Sequence, residues 1–382
     1  MRDGGSSRFR RLEEHRLLAS VIAVVVLAAG VAIPLAVGGS DDEGPPCRQV
    51  PASTRALADD PAAATRALDP GDDLARLGAV RKLLVHERLC GDGARVLGRV
   101  VEAATRSSGP GKPHTLAQAR SAYALAAAFD GVELPEGLAP GVARMVAEYV
   151  VDAGRHAYRA TSFGPAVPPG RSVPDEGGYV WLGRFLAPGE AHVDFPYADK
   201  AADANADVED LVAELAKDPE AFAILYDAER AYFAYYLERL TNQGGDPADR
   251  LSRGEDEDAA TTWPDIDLRN LADRVGALMK HRTNYATDGT ISDLAAFDRT
   301  VRDHTRGTFR AAPRQLTTRP PMGDIADRPV AGPLRGDPMD GRHQLFTVLD
   351  QWTKERGVPA QRATGMRQLM DDGYVRGLWM TF

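Results

Sequence analysis

The chain has 382 residues, of which 26% are charged, and a formal net charge of −9 at pH 7. This length suffices for two domains of ordinary size, each with a hydrophobic core of its own. A negatively charged surface repels phosphate backbones and anionic lipid headgroups. The composition therefore argues against nucleic acid as a partner.

The N-terminal region carries the most specific signal in the sequence. Residues Leu17 to Val37 contain no charged side chain and follow a tail with five arginines. A helix of about 20 apolar residues spans the hydrocarbon core of a bilayer, and an excess of basic residues marks the cytoplasmic side. The sequence therefore predicts a single-pass protein of the cell membrane, with a cytoplasmic N-terminus and its bulk outside.

The alternative is a signal peptide that is cleaved near Gly38 or Gly39, where small residues occupy positions 36 to 39. Cleavage there releases a secreted protein. Signal peptides usually have an apolar run of about 7 to 15 residues, which is shorter than the run in this chain. The length favours an uncleaved anchor.

The exported part begins at residue 38 and has a net charge of −11, because the first 37 residues carry five arginines and three acidic residues. It contains both cysteines of the chain, Cys47 and Cys90. Cysteines in an oxidising compartment usually pair, so the sequence predicts a disulfide, with two unpaired thiols as the alternative. Arginine is far commoner than lysine, which is typical of GC-rich bacterial genomes.

Hydrophobic residues recur at helical spacing along most of the exported part. Leu74, Leu77, Val80 and Leu84, for example, fall on one face of a helix. Several such segments joined by short Gly- and Pro-containing turns predict an all-α fold of helical hairpins in two parts. The predicted organisation is a tail (1–16), a membrane helix (17–37), a spacer (38–51), a helical domain (52–160), an irregular crossing (161–204), a second helical domain (205–311), a connector (312–341) and a C-terminal unit of two short helices and an apolar tail (342–382).

The tightest polar constellation is formed by Glu190, His192 and Asp194 in the irregular crossing. In an extended backbone these three side chains share one face, as a metal site or an oriented general base requires. The alternative is a half-buried strand with a polar outer face. Because no second cluster at metal-ligand spacing accompanies them, the sequence predicts neither a metal nor a cofactor.

Tyrosines are concentrated in the segment from residue 220 to 240. Positions 222, 226, 229, 233 and 237 trace one inward face of a helix, which leaves Tyr235 and Tyr236 outside it. Exposed tyrosines combine apolar area with a polar tip and are common at binding surfaces. The pattern therefore predicts a candidate surface for a peptide or glycan at these two residues.

Together these features favour a membrane-anchored binding or scaffold protein of the bacterial cell envelope, whose partner is an envelope protein or a glycan, over an enzyme. The first alternative is an envelope hydrolase or metal-dependent enzyme with its site in residues 161–204. The second is a secretion-system accessory protein. Residues Asp218 to Tyr232 are similar to helical segments of large secretion-associated proteins of actinobacteria, but the similarity includes no chemical motif and transfers no property.

Overall fold

A computed structural model describes residues 47–154, 164–169, 189–243, 261, 263–307, 309, 314–328, 330 and 334–379. The predicted tail, membrane helix and most of the spacer lie outside these ranges. Over the ranges just given, no helix has both the length and the apolar character of a membrane crossing.

The described residues are mainly helical, so the predicted helical fold class is confirmed. The helices are α1 (Ala52–Ala56), α2 (Pro61–Leu68), α3 (Leu77–Leu84), α4 (Gly93–Thr105), α5 (Leu116–Ala128), α6 (Ala139–Glu148), α7 (Val150–Ala153), α8 (Val208–Leu215), α9 (Pro219–Arg239), α10 (Trp263–Asp288), α11 (Leu294–His304), α12 (Met322–Ala326), α13 (Gly341–Arg356) and α14 (Ala360–Trp379), with a 3₁₀ turn at Leu57–Asp59. Helix α12 lies within the region predicted as a connector.

Two short antiparallel sheets accompany the helices. Strand β1 (Ala166–Val167) pairs with β2 (His192–Val193), and β3 (Ala198–Asp199) pairs with β4 (Ala204–Asn205). The first hairpin packs on α5. The described parts of the predicted irregular crossing are thus paired with one another through their backbones, and they pack against the helical core.

Polar side chains cap the N-termini of several helices by accepting hydrogen bonds from the free backbone N–H groups there. Thr115 and Gln118 form a reciprocal capping box at the start of α5, and Asp218 caps α9 immediately before Pro219. Such caps satisfy donors that have no partner inside the helix. The start of α5 at Thr115 follows directly from the sequence.

The predicted disulfide between Cys47 and Cys90 is present, with its Cα atoms 5.1 Å apart. Backbone hydrogen bonds flank it, since Arg48 donates to Arg88 and Cys90 donates to Arg48. The bond therefore ties the beginning of the described chain to the turn before α4, and this prediction is confirmed.

Helix α9 is the central element of the molecule and contacts α6, α10, α11, α12 and α13. Neighbours surround it so completely that Tyr235 and Tyr236 are only 1% and 2% exposed. The hydroxyl of Tyr236 donates to Asp267, and Arg239 and Arg328 lie over the ring of Tyr235. The prediction of a binding surface at these tyrosines is wrong, because the helix is buried on every side and not on one face alone.

The C-terminal helices α13 and α14 pack on α10. Helix α14 is continuous to Trp379, so the prediction of a shorter helix followed by a tail is wrong. Gly373 and Gly377 lie against the backbone of α10, where a Cβ atom would overlap the carbonyl oxygens of Arg269 and Asp273. These glycines allow a closer crossing than any larger residue permits.

Contacts join residues 46–382 into one compact unit. Helix α6 of the first predicted domain (52–160) packs along α9 of the second (205–311). The elements that surround α6 and α9 also build the candidate site.

Candidate functional site

Five ionisable side chains form a buried polar cluster beneath the surface at the C-terminal end of α6. They are His114, Glu148, Asp152, Glu190 and His192, and none is more than 3% exposed. Buried charges are stable in proteins only when they are paired and hydrogen-bonded. Each member of this cluster does have such partners.

His114 connects two glutamates. Its Nε2 atom is 3.2 Å from Oε1 of Glu148, and its Nδ1 atom bonds to Oε1 of Glu190. The His114 backbone N–H also donates to Glu190. The ring packs against Tyr149 with a centroid distance of 4.4 Å, which fixes its orientation. Both ring nitrogens are thus engaged by carboxylates.

The electrostatics of this arrangement favour charged side chains. Burial lowers the pKa of His114, but the hydrogen bonds and negative charges of Glu148 and Glu190 outweigh it and raise the pKa to about 9. Burial raises the pKa of Glu148, but His114, Arg106 and the N–H of Ser107 outweigh it and bring the pKa to about 2. At neutral pH His114 is therefore an imidazolium between carboxylates.

Glu190 and His192 have different partners within the polar cluster. Glu190 accepts from His114 and, at 3.1 Å, from the backbone N–H of Met322 in α12. His192 bonds through Nδ1 to Asp152 at 2.9 Å, and the N–H of Val193 donates to the same carboxylate. The fold therefore brings Glu190 and His192 into the same region, but each forms hydrogen bonds with different residues.

The alternative interpretation of this segment, a half-buried strand with a polar outer face, is wrong. Asp194 is 1% exposed, as buried as Glu190 and His192, and the alternating residues Ala191 and Val193 are fully buried as well. Both faces of the extended segment are covered, so its carboxylates and imidazole point into the protein. Through Glu190 and His192, the segment forms buried hydrogen bonds to His114, to α12 and to α7.

Sequence reasoning did not identify the partners of these residues. Glu148 and Asp152 are four residues apart across the junction of α6 and α7, in an otherwise apolar stretch. Two carboxylates at this spacing lie on the same side of a helical segment. Two acidic residues four positions apart in an otherwise apolar helical segment indicate a buried polar site, and this pattern is visible in the sequence.

An open cleft of about 1200 Å³ lies next to the polar cluster. Its sides come from the turn Leu57–Asp59, α2, α4, the loop of residues 106–110, the start of α5 and α12. Glu148 belongs to both features, because it lines the cleft and bonds to His114. The polar cluster thus fixes the inner end of the cleft.

No family model, curated protein or solved structure matches this chain.

The close packing at the base of the cleft depends on Gly323. A Cβ atom at this position would lie 2.5 Å from Oε1 of Glu148. Arg106 bonds to Glu148 at 3.2 Å and to Asp327 at 3.0 Å, and Asp324 accepts from the N–H of Gly111 at 2.8 Å. These contacts join α12 to α6 and to the loop after α4.

Most charges that line the cleft are neutralised within the protein. Asp69 is bound by Arg120 through two hydrogen bonds of 2.8 Å, and Glu102 pairs with Arg144 at 2.8 Å. Within the described ranges no group of three or more His, Cys, Asp or Glu side chains has the arrangement of a metal site. The cleft offers a preformed surface of mixed polarity.

Proposed function

We propose that this chain is an extracytoplasmic binding protein of the bacterial envelope and that its cleft holds a segment of a partner protein. The observation that carries the proposal is the cleft itself, about 1200 Å³ in volume and held at one end by the ion pairs of the buried Glu148. Sites for small molecules are usually about 300 to 1000 Å³. A volume above that range suits an extended peptide.

The chemistry of the lining favours a peptide over a glycan. The cleft is lined by short aliphatic groups such as Ala62, Ala103 and Pro110, interspersed with charged side chains, and none of the described residues that line it is aromatic. Aromatic rings supply large, amphipathic contact area at many binding surfaces. Small side chains leave room for the side chains of a ligand, and the charges provide specificity.

The state of the polar cluster favours binding over hydrolysis. A general base needs a free, neutral nitrogen or a carboxylate with a suitable pKa. His114 is charged at neutral pH with both ring nitrogens bonded to glutamates, and the pKa of Glu148 is about 2. These groups are suited to holding the site rigid.

The proposed location follows from the apolar segment 17–37 and its arginine-rich tail. N-terminal sequencing of the protein extracted from membranes tests it. We expect a mature chain that retains residues 1–37. A chain that starts near Ser40 would show secretion after cleavage and would leave the proposed cleft unaffected.

Site-specific photocrosslinking in intact cells tests the binding function. A benzoylphenylalanine residue at Ala62, which is exposed and lines the cleft, should capture a partner. The same residue at Ala295, which is exposed on α11 and does not line the cleft, is the matched control. Equal capture from both positions, or none from Ala62, would contradict the proposal.

The identity of the captured partner separates a general envelope binder from the secretion-system alternative. Components of an export apparatus would support an accessory role, and other envelope proteins would support a scaffold. A polysaccharide recovered in place of a protein would contradict the peptide-binding proposal.

A further inference from the structure

Two arginines that line the cleft differ from most of its other charged residues in their lack of an ion-pair partner among the described residues. Arg66 lies on α2 and Arg99 lies on α4. Both are exposed, and across the described part of the chain neither guanidinium forms an ion pair with a carboxylate, whereas Arg106 pairs with both Glu148 and Asp327. The fold thus provides two positive charges without an ion-pair partner among the described residues, although Arg99 also acts through space on Asp92.

Packing between the helices brings these two arginines to the same cleft. The hydroxyl of Thr65, the residue before Arg66, donates to the carbonyl of Ala104 in α4 at 2.9 Å. Arg99 precedes Ala103 by four residues, so the two lie on the same face of α4, and both line the cleft. The arginines therefore border a shared surface formed by short side chains.

From this arrangement we infer that Arg66 and Arg99 bind carboxylate groups of the peptide segment, so that the partner presents an acidic segment. The inference rests on the proposed binding function. A guanidinium offers several N–H donors in a planar fork that matches a carboxylate. Two such groups beside a floor of alanine and proline select a short acidic peptide over a neutral one.

The net negative charge of the exported part does not oppose this interaction strongly. Charges separated by more than the Debye length, about 8 Å at physiological ionic strength, are largely screened. Two acids of the lining are already paired, Asp69 with Arg120 and Glu102 with Arg144. Arg66 and Arg99, by contrast, form no ion pair with a carboxylate of the described residues, so their guanidinium groups are available to a ligand.

The part of the lining that comes from α12 supplies an acceptor. Asp324 in α12 lines the same cleft and, among the described residues, accepts one hydrogen bond, from the Gly111 N–H. Its second oxygen is suited to accept from a backbone N–H or an amine of the ligand.

Charge reversal in the crosslinking strain tests the inference on the full chain. With benzoylphenylalanine at Ala62, the double substitution Arg66→Glu and Arg99→Glu should reduce capture about tenfold, the effect of losing two exposed ion pairs. Arg66→Lys with Arg99→Lys should retain most of the capture. Arg95→Glu, on α4 but outside the cleft lining, should leave it unchanged.

Mass spectrometry of the crosslinked peptide gives the second readout. A captured segment with Asp, Glu or a terminal carboxylate near the crosslink supports the inference. A segment without carboxylates, or undiminished capture by the double Glu variant, overturns it and leaves the proposed binding function intact. Failure of the otherwise unchanged protein to capture any partner from Ala62 overturns the proposed function, and the inference falls with it.

Discussion

The Nε2 atom of His114 lies 3.2 Å from Oε1 of Glu148, and both side chains are almost completely removed from solvent. Glu148 also accepts from the backbone N–H of Ser107, where the chain leaves α4. Through Glu190, the same histidine is linked to the N–H of Met322 in α12. One buried imidazolium therefore holds together three parts of the chain that border the cleft.

The first prediction concerns the dependence of stability on pH. The pKa of His114 rises from 6.5 to about 9 on folding, so its contribution is complete below pH 6.5 and is lost as the pH rises through 9. The pKa of Glu148 falls from 4.5 to about 2, so its contribution is complete above pH 4.5 and is lost towards pH 2. We expect these two groups to support the highest stability between pH 4.5 and 6.5.

Urea unfolding at several pH values between 5 and 9 measures this effect. The free energy of unfolding should fall from pH 6.5 to 9 in the unmodified protein, and the fall should be smaller in His114→Gln, which has no titrating ring. Identical pH profiles for the two proteins would contradict the assigned charge state of His114.

The second prediction concerns Glu148→Gln. The amide keeps the shape of the side chain but removes the charge that His114 and Arg106 face, and loss of one partner of a buried ion pair costs about 3 to 5 kcal/mol. Glu102→Gln is the control, because Glu102 pairs with Arg144 near the surface and should cost less than about 1 kcal/mol. Similar losses for both variants, from chemical denaturation, would argue against a special role of the buried pair.

The sequence was sufficient to predict the helical class, because helix periodicity and capping depend on neighbouring residues. Local chemistry determines the helix start at Thr115 and Gln118, which cap α5. The predicted oxidising compartment favours the disulfide between Cys47 and Cys90. In contrast, periodicity predicts which face of a helix is apolar but not how many neighbours cover it. Periodicity alone therefore places Tyr235 on the surface, whereas packing from every side of the helix buries it.

The polar cluster was only half predictable for a related reason. Glu190 and His192 are recognisable as a polar pair because they are two residues apart in the sequence. Their partners are distant, since His114 is 76 residues before Glu190 and Asp152 is 40 residues before His192. Such pairs arise from tertiary packing, and no local pattern in a single sequence records them.

The third prediction concerns the crossing of α10 and α14. A methyl group at Gly377 would overlap the carbonyl oxygen of Asp273, a backbone atom that cannot rotate away, so Gly377→Ala forces the helices apart. Overpacking of this kind typically costs about 1 to 3 kcal/mol.

Gly78→Ala is the matched control for that substitution. Gly78 is an exposed glycine inside α3 with open space around its Cα atom. Alanine there should raise the free energy of unfolding by about 0.5 to 1 kcal/mol, because it restricts the unfolded chain. Thermal unfolding of both variants checks the pair, and a stable Gly377→Ala protein would contradict the close crossing.

The fourth prediction concerns the disulfide. Cys47 and Cys90 are 43 residues apart, and a covalent loop of this size restricts the unfolded chain by about 4 kcal/mol in the chain-entropy model. The double substitution Cys47→Ser and Cys90→Ser should lower the free energy of unfolding by that order. Dithiothreitol should destabilise the unmodified protein to a similar extent and leave the double variant unchanged. A reductant effect of equal size on both proteins would mean that the loss does not come from this bond.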